Sequence, residues 1–139
     1  MSTNTINMQD MRYLNLFEQV TRISTRYFFM YNDCMVFCVP KNLVMAAVGE
    51  EGRNVRRLSE VFRRRIKVIP IPGGVEHARQ FIEAITSPVK FKGLDVNSNE
   101  IILTAGSQSK AALIGRNKRR LLEMQKIVKD YFGREFRII

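Results

Sequence analysis

Two short stretches of this chain carry residue types that could hold a phosphate. Gly49-Glu50-Glu51-Gly52 is followed by Arg53, Asn54, Arg56 and Arg57, and Gly115-Arg116-Asn117-Lys118 is followed by Arg119 and Arg120. A glycine turn lets an anion come close because no side chain stands in the way. Where a helix starts just after such a turn, its first amides and its dipole favour negative charge. Cations beyond the turn add an attraction that is independent of sequence and weakened by salt. The candidate binding residues are therefore Gly49, Glu50, Glu51, Gly52, Arg53, Asn54, Arg56 and Arg57 in the first stretch. In the second they are Lys110, Gly115, Arg116, Asn117, Lys118, Arg119 and Arg120. Glycines would give backbone approach, the basic residues phosphate contacts, and Asn54 or Asn117 hydrogen bonds.

The elements that must position these turns recur in the same order. Residues 43–69 (LVMAAVGEEGRNVRRLSEVFRRRIKVI) and residues 111–139 (AALIGRNKRRLLEMQKIVKDYFGREFRII) each read apolar segment, turn, basic amphipathic helix, strand. Upstream of the first copy, Met11, Leu14, Phe17 (or Leu16) and Val20 have helical spacing, so a helix is expected from Met8 to about Ile23. Strands near Arg26–Tyr31 and Met35–Val39 flank Asn32-Asp33, a hairpin signal. A short helix over Lys41–Val48 leads to the turn. The next helix is striped by Val55, Leu58 and Phe62, and Arg65–Ile71 reads as a strand. Pro70, Pro72, Gly73 and Gly74 mark a boundary. The second unit repeats the pattern: a helix over Val75–Ile85, strands over Pro88–Val96 and Glu100–Thr104, and a helix capped by Ser107 or Ser109 and ending at Ile114. After the turn come a helix over Arg119–Phe132 striped by Leu121, Met124, Val128 and Tyr131, and a strand over Arg134–Ile139. The expectation is an α+β chain of two units, 1–72 and 73–139, each a three-stranded sheet packed against three helices.

Composition narrows the partner. The chain has 139 residues and a net charge of +10. Residues 1–73 and 74–139 each contribute +5, so the charge is not a basic tail on a neutral body, and a polyanion is the expected partner. Cys34 and Cys38 would lie about 13 Å apart on a strand, too far for a disulfide, and buried free thiols are expected. His77 is the single histidine, and no grouping of His, Cys, Asp and Glu has metal-ligand spacing. Neither a catalytic constellation nor a cofactor is expected. No N-terminal apolar run reads as a signal peptide, and no stretch approaches the ~20 apolar residues of a membrane helix. A cytoplasmic, monomeric protein without membrane contact is expected. Tyr27, Phe28, Phe29, Tyr31 and Phe37 fall on the hairpin with alternating faces and are read mostly as core rather than as stacking platforms.

These residues resemble a known family. The element order is that of the type II KH domain, in which a GXXG loop clamps about four backbone nucleotides. Ala47–Ile69 closely resembles the KH segment of the transcription termination/antitermination factor NusA. There, a Gly-x-x-Gly turn precedes a polar residue, Asn, Val, Arg and an apolar helix; here these are Gly49 to Gly52, Arg53, Asn54, Val55, Arg56 and Leu58. The resemblance covers about residues 8–139, and a tandem KH pair with little else is similar to the short archaeal NusA-like proteins. It implies single-stranded RNA binding across two abutting KH domains that form one rigid surface, and a role with the transcribing RNA polymerase. Two departures stand out. Glu50-Glu51 occupies positions where KH loops usually carry a basic residue, and Lys118 replaces the last glycine of the second loop. A ribosome-associated or RNA-processing KH protein is the nearest alternative. The other is a KH-fold protein-interaction module that has lost RNA binding, which Glu50-Glu51 and Lys118 favour.

Overall fold

The computed structural model describes residues 7–139. They fall into two compact units that divide between Ile71 and Pro72. The first contains α1 (Met8–Thr21), β1 (Tyr27–Tyr31), β2 (Cys34–Val39), α2 (Val44–Val48), α3 (Arg53–Phe62) and β3 (Arg65–Pro70). The second contains α4 (Ala78–Thr86), β4 (Gly93–Val96), β5 (Glu100–Thr104), α5 (Ser107–Ile114), α6 (Arg119–Phe132) and β6 (Glu135–Ile138). Each unit runs α-β-β-α-α-β, so the described residues form six α-helices and two three-stranded sheets. In both sheets the hairpin strands are antiparallel, and the last strand pairs in parallel with the central one: β2 with β3 from Cys34↔Arg65 to Val39↔Pro70, β5 with β6 from Glu100↔Glu135 to Leu103↔Ile138. The fold is α+β and consistent with two KH-like domains.

Local chemistry explains the element boundaries. The Asn7 side chain accepts the Asp10 amide at 2.8 Å and starts α1. Asn32 and Asp33 both have positive φ (52° and 59°), the twist a tight two-residue hairpin needs. In the second hairpin Asn97 Oδ1 accepts the amides of Asn99 and Glu100, each at 2.8 Å, closing an Asx turn. Each hairpin is tied to a residue at or just before the start of the last strand of its sheet. Arg65 donates to the Asn32 carbonyl at 2.7 Å, and Arg134 to the Asn97 carbonyl at 2.6 Å.

The helical face of the first sheet is packed with Leu14, Phe17, Met35, Phe37, Val39, Ala47 and Leu58, with Tyr13, Phe28 and Phe62 against them. Phe37 stacks on Phe17 at 4.4 Å and lies 5.0 Å from Phe28; of the hairpin aromatics Phe37 and Tyr31 are buried, and Tyr27, Phe28 and Phe29 are half-buried. Cys34 and Cys38 are buried and form no disulfide. Burial raises the Cys34 thiol pKa and lowers that of the nearby Lys67 ammonium, because each charged form loses solvation. In the second unit Ile82, Ile85, Ile101, Leu103, Met124 and Val128 are buried.

Two expectations are corrected. Residues 88–92 are not strand: β4 starts at Gly93, opposite Thr104, where β5 ends, and the Lys92 amide makes a last bond to the Thr104 carbonyl at 2.8 Å. Gly106, not a serine, caps α5, and no side-chain bond closes it. Met11, on the same helical stripe, is 52% exposed, since Leu14 and Phe17 already cover the sheet. The helices over 41–48 and 75–85 also begin with 3₁₀ turns, at Lys41–Leu43 and Val75–His77.

Candidate nucleic-acid interface

In each unit the last two helices meet at the expected turn. The two turns share one backbone conformation despite sharing only their first residue. Gly49 (φ 85°, ψ 164°) matches Gly115 (79°, 169°). Glu51 (56°, 29°) matches Asn117 (55°, 30°). Gly52 (74°, 19°) matches Lys118 (59°, 23°). The first position lies in a region of φ/ψ space open essentially to glycine alone, whereas the last is left-handed helical and accepts other residues at some strain. This is why the second turn survives with Lys118 in place of glycine.

Crowding reinforces the distinction. A Cβ on Gly49 would stand 2.9 Å from the Asn54 amide nitrogen and Cγ, and one on Gly115 would stand 3.0–3.1 Å from Arg120 atoms. A Cβ on Gly52 would meet only an Arg56 nitrogen, at 3.6 Å. Asn54 and Arg120 occupy equivalent positions and do equivalent work. Asn54 Nδ2 donates to the Ala46 carbonyl at 3.4 Å, and Arg120 Nη1 to the Ala112 carbonyl at 2.8 Å. Each fastens the helix after the turn to the helix before it. Arg120 thus matches Asn54 as a brace, and Asn117 matches Glu51.

The turns also use their own amides. Gly52 N–H bonds the Gly49 carbonyl at 3.0 Å, and Lys118 N–H the Gly115 carbonyl at 3.1 Å. The next amides, of Arg53 and Arg119, bond the carbonyls of Glu50 and Arg116. Two of the amides expected to be open to an anion at each turn are therefore engaged, and side-chain charge must supply more of any grip on phosphate.

That charge differs sharply between the turns. Residues 49–52 carry two carboxylates and no cation; residues 115–118 carry two cations and no carboxylate. Over 49–57 the net charge is +1, and over 115–123 it is +3. Two unit charges 4 Å apart interact by roughly 1 kcal/mol in water and roughly 4 kcal/mol near a protein surface. Arg56 donates to the Glu51 carbonyl, which lays its guanidinium on the first turn. Glu50, Glu51, Arg53 and Arg57 are exposed, as are Arg116, Asn117, Lys118 and Arg119. Lys110 is exposed on α5 about one and a half helical turns before Gly115.

Leu122 and Glu123, which periodicity alone did not flag, also border the candidate site. With Arg116, Asn117 and Arg119 they line an open hollow of ≈ 570 Å³ beside the second turn. Leu122 is 58% exposed and sits where the first unit has Arg56, a difference visible on aligning the copies at their 66-residue offset. Glu123 lies 3.9 Å from the Arg119 guanidinium. Among the described residues no group of three or more His, Cys, Asp or Glu is placed to hold a metal ion, and no helix is long and apolar enough to cross a membrane.

No protein-family profile matches the chain. It is 26% identical over 100 residues, 70% of its length, to a probable transcription termination protein NusA from Methanococcus vannielii; the match spans 56% of that protein, little more than half. Among solved structures, the crystal structure of APE1850 overlays with a TM-score of 0.67, covering 96% of this chain and 99% of that one at 19% identity. That likeness is one of fold.

Proposed function

We propose that this chain is a non-enzymatic single-stranded RNA-binding protein of the short archaeal NusA-like kind. Its two units, 1–72 and 73–139, are type II KH domains that act in transcription termination or antitermination, in contact with the RNA polymerase elongation complex. The observation that carries this reading is the repeated turn. Two copies of one unusual backbone conformation sit at the same place in two α-β-β-α-α-β units, each followed by exposed cations. Similarity to a probable NusA over 70% of the chain supports the assignment to transcription. Binding would place the sugar-phosphate backbone against a turn of this kind and leave the bases free to be read, the usual KH geometry.

The test is a fluorescence-anisotropy titration of the full chain with short single-stranded RNAs, matched DNAs and duplex RNA at several salt concentrations. Preference for particular single-stranded RNAs that persists at moderate salt is the expected result. Equal, weak binding to every polyanion, vanishing with salt, would reduce the +10 charge to generic attraction and leave a protein-interaction module. Recovery of a tagged chain with polymerase rather than with ribosomal subunits separates the transcription role from a ribosomal one.

A further inference from the structure

The two turns have one backbone and opposite charge, so they cannot serve RNA equally. We infer that the second turn and the hollow beside it form the nucleotide-holding site, and that the first turn holds no phosphate. This rests on the RNA-binding reading and assigns the ligand within it: a phosphate with its attached nucleoside.

Three observations converge on the second turn. First, in both copies the turn carbonyls take the last amide of the turn and the one after it, which gives side-chain charge more weight in where an anion settles. That charge is −2 over residues 49–52 and +2 over residues 115–118. Second, the hollow joins Arg116 and Arg119 to the exposed Leu122. A phosphate on the guanidinium groups would lay its ribose or base against the leucine, and Glu123 offers an acceptor for a base amino group. Third, the equivalent of Leu122 in the first unit is Arg56, bound back onto the Glu51 carbonyl. There a guanidinium covers the turn where the second unit offers an apolar surface. The first turn then works by exclusion: Glu50 and Glu51 push the backbone away, while Arg53 and Arg57 contribute only longer-range attraction.

The experiment compares three full-chain variants with wild type, using a short single-stranded RNA and its DNA counterpart across a salt series. Arg116→Gln with Lys118→Gln should weaken RNA binding by at least about tenfold and lower the salt slope by about 1.4, the value for two lost contacts to a single strand. Glu50→Gln with Glu51→Gln should leave affinity intact or tighten it. Leu122→Ser should weaken binding while leaving the salt slope unchanged, because no charge is altered. Thermal unfolding of each variant separates a binding defect from a folding one; all five positions except the strained Lys118 are exposed without a left-handed backbone or, for Glu51, are changed to a residue of similar shape. Wild-type binding with the second-turn pair within twofold of it, or with the Glu50/Glu51 pair weakened, would overturn the inference and leave the RNA-binding reading standing. Absence of RNA binding by wild type would overturn both.

Discussion

At the residue scale, the glycines of the two turns are unequal. Gly49 combines a glycine-only conformation with a crowded Cβ position; Gly52 has only a left-handed φ and open space. We predict that Gly49→Ala costs about 3 kcal/mol and Gly52→Ala about 1 kcal/mol, read from denaturant midpoints at unchanged slope. Equal costs would mean that the tight packing of Asn54 on Gly49 relaxes freely. Conversely, Lys118→Gly should stabilise the chain by up to about 1 kcal/mol by relieving a lysine at φ 59°, while removing a cation from the proposed RNA site. The spacing of Gly and basic residues made both turns legible in the sequence. Their division of work was not, because it depends on which amides and guanidinium groups the folded turn already engages.

At the element scale, most boundaries follow from local chemistry that the sequence displays: the Asn32-Asp33 hairpin, the Gly133 cap of α6, the apolar stripes of α3 and α6. The misplaced start of β4 shows what a single segment cannot show. Alternation over residues 88–96 suggested a long strand, but strand length is set by the partner, and β5 ends at Thr104. The cap of α3 offers a test. Arg63 ends α3 at φ 56° where Gly133 ends α6 at 65°. Arg63→Gly should raise stability by up to about 1 kcal/mol, measured by urea denaturation; a loss would place Arg63 in interactions stronger than its backbone strain. In the sheet beneath, Phe37→Ala should cost about 3–5 kcal/mol, because it empties the stack between Phe17 and Phe28. Cys34 lies on the same central strand. Its proton is held more tightly in the fold than out of it. Its contribution to stability is therefore full below the ordinary thiol pKa and lost as pH rises through the raised one, whereas Lys67, lowered by burial, contributes in the opposite sense. Alkylation of Cys34 at neutral pH should accordingly be slow in the folded chain and fast in denaturant; rapid labelling of the native protein would show that the strand opens readily.

At the scale of the whole molecule, a net charge of +10 shared equally between two units suits a partner that touches both. Charge alone draws any polyanion; the inferred second-turn site would give it a place to act. The two-unit α+β architecture was legible because the sequence states it twice. The choice between RNA, polymerase and ribosome was not, because shape and charge are shared by many KH-fold proteins. The most direct measurement is a ¹H–¹⁵N correlation spectrum of the full chain titrated with a short single-stranded RNA. The predicted result is that the largest amide shifts cluster in residues 115–123, with smaller ones at residues 49–57. Saturable binding with shifts confined to neither turn would contradict the assignment of the turns as the RNA interface.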